Sequence, residues 1–165
     1  RYGGLLTDII VNLSDQCLRF AHKKTAQVTM VNVANHANPA DPELQDFGEI
    51  ALRSDHASGY IRVDWYTPDA LPNWGDGRLT LLGTEGYIEL IKYVEVGGRD
   101  GSDYLIMVNG TRCEKIDAHD AGLPYFSRLT NDIAHRTETA MRQDHCFEVM
   151  ELALRAQLLA EEQIL

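Results

Sequence analysis

The sequence predicts an α+β fold, an open and mainly antiparallel β-sheet with helices packed on one face, on two observations. Apolar residues at helical spacing stand at both ends of the chain, and the middle is a series of short runs that alternate apolar and polar. Turn residues separate those runs, with no crossover helix between them, which makes the sheet antiparallel.

The elements follow in order. Leu5 to His22 reads as a helix whose apolar face is Leu6, Ile9, Ile10, Leu13, Cys17 and Phe20. Thr25 to Val33 is β-branched and alternating, hence a strand, and Asn35 to Asp46, with two prolines, is a loop. Phe47 to Ser54 and Tyr60 to Tyr66 form strands about a polar turn; in the second, Ile61, Val63 and Trp65 alternate with Arg62 and Asp64. Thr67 to Gly77 is a second irregular loop. Arg78 to Leu82 and Tyr87 to Val96 are strands around Gly83-Thr84-Glu85-Gly86. Gly97 to Gly101 reads as a hairpin loop, since it lies between two strands and opens no helix. Tyr104 to Val108 and Thr111 to Ile116 flank Asn109-Gly110, the residue pair of a type I′ turn with positive φ at both positions. Two helices close the chain. The first runs from Pro124 to Thr137, with Phe126, Leu129 and Ile133 on one face. The second starts near Asp144 as N-cap, and its apolar set is Phe147, Met150, Leu154, Leu158 and Ile164. The whole, 1–165, reads as a single domain.

The chain of 165 residues is 44% apolar and 24% charged, the balance of an ordinary globular protein. Its formal net charge of -10 argues against nucleic acid and anionic membrane surfaces as partners. Cys17, Cys113 and Cys146 are scattered and odd in number, which points to a reducing, cytoplasmic setting rather than a disulfide framework or a zinc site. No apolar run approaches the roughly 18 residues of a membrane span. In the strand after Gly86, both faces carry apolar side chains: Tyr87, Ile91 and Tyr93 with Glu89 on one, Ile88, Leu90 and Val94 with Lys92 on the other. Such a face either makes a homo-oligomer contact or is covered within the chain.

Three segments carry a resemblance. Gly3-Gly4-Leu5-Leu6-Thr7-Asp8-Ile9 with Asp15-Gln16, the stretch Gly77 to Leu90, and Glu148 to Gln157 resemble, in the same order, segments of the second domain of the glucose-fructose oxidoreductase / inositol dehydrogenase family. The resemblance implies a C-terminal substrate and oligomerisation domain with an open antiparallel sheet, the sheet's free face making the oligomer contact. It further implies that NAD or NADP is bound by an N-terminal Rossmann domain, that the substrate is a sugar or polyol, and that the chemistry is hydride transfer from a carbinol carbon. No strand–Gly-rich turn–helix unit occurs here, so no Rossmann domain and no cofactor-binding residue is expected in this chain.

On the first helix, Asp8, Asn12 and Asp15 stand at i, i+4 and i+7 and share one face opposite the apolar stripe. The resemblance puts a histidine, oriented by the aspartate one turn before it, at the place of Asn12; imidazole takes a hydroxyl proton at neutral pH, whereas an amide only hydrogen-bonds. At Ile10 the family often has glycine, and a branched side chain there is expected to narrow the approach of backbone to substrate. The same polar set also describes the solvated face of any amphipathic helix, with Asp15 and Arg19 as a surface pair. His36, in the Pro-rich loop, and Trp74, in the second loop, are further candidates for substrate contact; the first could equally be solvated and the second could pin its loop. Asp117, His119 and Asp120 read as a solvated turn, and no metal site is expected. Two functions remain open on the sequence: the substrate-side domain of an NAD(P)-dependent dehydrogenase, or a sugar-binding or oligomerising module that kept the fold and lost turnover.

Overall fold

The computed structural model describes residues 4–96 and 103–164. The reading of Gly97 to Gly101 lies outside the described residues. Contacts divide the chain into two compact units, one made of the residues up to Tyr66 and from Tyr125 onward, the other of Thr67–Pro124.

In the first unit a π-helical turn, Leu6–Ile10, runs directly into α1, Val11–Phe20. Strands β1 (Gln27–Ala34), β2 (Phe47–Arg53) and β3 (Ser58–Asp64) form an antiparallel sheet in the order β1-β2-β3, with a bulge between Val28 and Met30. Helices α2 (Tyr125–His135) and α3 (Gln143–Ile164) follow. The core lies between the sheet, the first helix and α3, whereas α2 leaves Phe126 and Ile133 of its apolar face exposed. Ile50, at 0% exposure, pairs with Val31 on one side and Ile61 on the other, and all three join Leu6, Ile10, Leu18, Val149, Leu152, Ala156 and Ala160 in one cluster.

Three sequence readings change here. The buried line of the first helix is Leu6, Ile10, Ser14 and Leu18, while Phe20 is half exposed. Four-residue steps overshoot an α-helical turn by about 40° each; the wider π turn absorbs part of that drift and so turns the buried face away from Phe20. Second, α3 buries its small residues, Ala153, Ala156 and Ala160 with Val149 and Leu152, whereas Phe147, Met150, Leu154 and Leu158 are exposed. Alanines let the helix approach the sheet closely, and that decides which side of an all-round apolar helix turns inward. Third, α3 begins before Asp144; the Asp144 carboxylate accepts the His145 N–H at 2.9 Å, and the Arg142 guanidinium holds its pKa down to about 2.

The second unit is a four-stranded antiparallel meander, β4 (Gly77–Leu82), β5 (Gly86–Lys92), β6 (Tyr104–Asn109) and β7 (Cys113–Asp117). The α+β class holds, with the strands laid down as two open sheets because Thr67–Asp76 is irregular and carries no ladder. Strand β5 stops at Lys92, four residues short of the expected end: Tyr93 takes a left-handed φ of 71°, and its N–H turns to Asp103 Oδ1 at 3.3 Å. The Asn109 hairpin forms, but without positive φ at either Asn109 or Gly110. Instead Asn109 Oδ1 accepts the N–H groups of Thr111 and Arg112, both at 2.9 Å, so the asparagine closes the turn with its side chain.

Gly86 is required by a close approach. A Cβ there would lie 2.6 Å from the backbone oxygen of Val108 on the neighbouring strand. Gly86→Ala must therefore spread β5 from β6, and urea denaturation is expected to show a loss of about 1–3 kcal/mol, in the range of overpacking. Unchanged stability would show that the strands separate freely.

Candidate functional site

The π turn is where backbone and polar residues meet at a cavity. It is pinned at its start: the Thr7 and Asp8 N–H groups and the Thr7 hydroxyl all donate to Gly4 O, and the Leu5 N–H donates to Gln45 Oε1 at 3.0 Å. Leu6 and Ile10 anchor it from below at 0% exposure. Asp8, between them, points outward and is exposed. It stands on the wall of an open cleft of about 1220 Å³ formed within the first unit. The loop after β1, with Asn35 and Asp41 to Gln45, forms another wall, and Val33, Trp65, Leu154 and Gln157 also line the cleft. Among the described residues Asp8, Asp41, Glu43 and Glu161 line the cleft and no lysine or arginine does, so these side chains give it a negative potential that favours ligands rich in hydrogen-bond donors.

The loop wall is built on one buried carboxylate. Asp46, at 0% exposure, accepts the N–H groups of His36 (2.9 Å) and Ala37 (2.8 Å), the Asn38 amide (2.9 Å) and the Tyr66 hydroxyl (2.6 Å). Burial alone would raise its pKa; the Tyr66 hydroxyl and the three N–H donors outweigh that and hold it well below the usual carboxylate range. Burial and the Asp46 carboxylate together push the Tyr66 hydroxyl up to about 12, which keeps it a donor. A charge seated in this way fixes the loop like a bound anion. Asp132 does the same after α2, accepting from Thr137, Thr139 and Ala140.

The sequence-derived candidates fall as follows. Asp8 lines the cleft. Asn12 is exposed one turn later on α1, and its side chain faces outward. Asp15 lies further along the same helix, half-buried, paired through Oδ1 with Arg19 Nε at 2.8 Å. Its second partner was missed: His145 Nε2, from the first turn of α3, lies 2.5 Å from the same oxygen. The two positions are 130 residues apart, and nothing in the local pattern of Asp144-His145-Cys146 links them. Ile10 does not narrow the site; its side chain is wholly in the core, on the other side of the turn from Asp8. His36 is held through its backbone by Asp46, and its ring packs against Phe47 at 5.6 Å. Trp74 belongs to the second unit, on an exposed loop where its N–H donates to Asn73 Oδ1. Among the described residues no group of three or more His, Cys, Asp or Glu is placed to hold a metal, and no helix is long and apolar enough to cross a membrane.

The fold is found in solved oxidoreductases. A protein of Erwinia carotovora atroseptica, provisionally named an oxidoreductase, is 43% identical and superposes with a TM-score of 0.92 over 96% of this chain and 48% of its own. A provisional oxidoreductase of Thermotoga maritima superposes at 0.75 with 15% identity, over 97% of this chain and 46% of that one. The WlbA dehydrogenase of Bordetella pertussis, solved with NADH and UDP-GlcNAcA, superposes at 0.61 with 21% identity over 99% of this chain and 44% of its own. The chain thus spans about half the length of each. No family model and no curated protein sequence matches it.

Proposed function

We propose that this chain is the C-terminal, substrate-side domain of an NAD(P)-dependent dehydrogenase acting on a sugar or polyol. The observation that carries the reading is the polar row on the first helix, with Asp8 on the cleft wall at a π turn, a helical irregularity that recurs at functional sites. The 43% identity to half of an oxidoreductase, and a more distant neighbour solved with NADH and a nucleotide sugar, support it.

Such a reaction would move a hydride from a carbinol carbon to the oxidised nicotinamide and the hydroxyl proton to a base, which the companion domain would supply since Asn12 does not titrate. The described residues offer no strand–Gly-rich turn–helix unit, so they do not fit a dinucleotide, and the cofactor belongs to a companion domain. This chain handles the hydroxyl side. Asp8 accepts substrate hydroxyls, Asn12 donates to or accepts from the reacting oxygen without titrating, and Asp15 and His36 are further contacts. The exposed stripe Phe147, Met150, Leu154 and Leu158 on α3 is a surface for the companion domain to cover, and the meander of β4–β7 is the face through which copies associate. Three free cysteines fit a cytoplasmic protein.

The test is titration of the full-length protein with NAD(H) and NADP(H); absence of binding to either removes the dehydrogenase reading. Asn12→His then separates the two open functions. If turnover decayed with the loss of imidazole, the variant gains on the order of 10²-fold in kcat. Brisk turnover by the wild type with no gain in the variant excludes the non-catalytic module.

A further inference from the structure

Asp15 is gripped by one oxygen only. Arg19 Nε at 2.8 Å and His145 Nε2 at 2.5 Å both donate to Oδ1, from α1 itself and from the first turn of α3. Oδ2 receives no hydrogen bond among the described residues, and the side chain keeps 23% of its surface exposed. A carboxylate held in this way cannot turn, so its second oxygen offers its lone pairs in a fixed direction. The imidazole is largely enclosed, with its side chain only 17% exposed, and the backbone that carries it is fixed: the His145 main-chain N–H donates to Asp144, whose carboxylate pairs with Arg142.

Asn12 stands one turn before Asp15, within the 5–6 Å or so that separates neighbouring side chains along a helix. The two therefore present a donor–acceptor amide and a fixed acceptor oxygen side by side. Vicinal hydroxyls of a polyol match that pair.

We propose that His145 is a positioning residue of the polyol site, which with Arg19 locks Asp15 Oδ1 so that Oδ2 accepts a ligand hydroxyl. This rests on the reading that the polar row of the first helix faces the substrate, and needs no proton transfer at Asp15 or His145.

The experiment follows the Asp15 carboxyl carbon by NMR in full-length protein labelled at aspartate, assigned through Asp15→Asn. Myo-inositol, D-glucose and D-glucuronate are the probes. At least one is expected to shift the Asp15 signal in a saturable way. His145→Phe keeps a ring and removes both nitrogens, and it should weaken that affinity about tenfold, the scale of one charge-assisted hydrogen bond. His145→Gln, which keeps an N–H donor, should recover most of it. Should His145→Phe fail to fold, Arg19→Met releases the other grip and carries the same expectation. If no probe moves the Asp15 signal, or the affinity is unchanged in a folded variant that lacks the donor, His145 merely ties two helices together and the proposal falls. A polyol response at Asp15 in a protein that binds no dinucleotide would retire the dehydrogenase reading and keep this one.

Discussion

Replacing Ile10 with alanine is expected to cost about 2–5 kcal/mol of stability, the range for truncating a fully buried aliphatic side chain. Ile10 is 0% exposed in the cluster that joins Leu6 and Leu18 to Ile50 of the central strand and to Val149 and Leu152 of α3. It is also the last residue of the π turn, so the cavity opens directly beneath Asp8. Two consequences follow. The urea midpoint falls with little change in slope, since the loss is one of packing rather than of compactness. Ligand affinity at the cleft falls as well, because the backbone that aims Asp8 loses its lower anchor. Ile10→Val, which removes only one methylene, should cost about 0.5–1.5 kcal/mol and leave the cleft intact. If Ile10→Ala proves neutral, the π turn is not held from the core side, and the pinning of Gly4 and Leu5 above it must suffice.

Ile10 lies in the core, as its place on the apolar face of the first helix implies, and so does not narrow the site. The strands were legible because Ile50, Leu52, Ile61 and Val63 alternate with residues of other faces, and a period of two leaves little choice of side. The helical faces were less so. A single π turn at Leu6–Ile10 shifts every later residue of α1 relative to the core, and a strict 3.6 period cannot show it. In α3, large apolar residues lie on both sides, so hydrophobicity does not choose between them; close packing of Ala153, Ala156 and Ala160 does. At the site, Asp8, Asn12 and Asp15 were visible as a local row. His145 was not, since its meeting with Asp15 depends on how α3 returns over α1 across the whole chain. Asp46 was hidden for the same reason: it reads as the last polar residue of a loop, and only its partners reveal it as the loop's anchor.

Asp46→Asn tests that anchor. The amide keeps the size of the side chain but replaces one acceptor oxygen by an NH₂ group, which then faces hydrogen-bond donors with nothing to accept. Thermal unfolding should show a midpoint lower by on the order of 10 °C, as for loss of a buried hydrogen-bond network in a chain of this length. The pH dependence gives a sharper signature. The folded-state pKa of Asp46 is depressed below its unfolded value, so its contribution is complete above the ordinary aspartate range, near ~4, and is lost as pH falls through the folded pKa. Wild type therefore loses stability on acidification from about pH 5 to about pH 3, and Asp46→Asn, already without that contribution, loses less. The same loop supplies Asn35 and Asp41 to Gln45 to the cleft wall, so the variant should also bind cleft ligands more weakly at a temperature where it is fully folded. Tyr66→Phe removes only the hydroxyl donor at 2.6 Å and should fall between wild type and Asp46→Asn. Parallel acid curves for wild type and Asp46→Asn would mean that the buried carboxylate shapes the loop without its charge mattering; a steeper curve for wild type assigns the rigidity of the cleft wall to that charge.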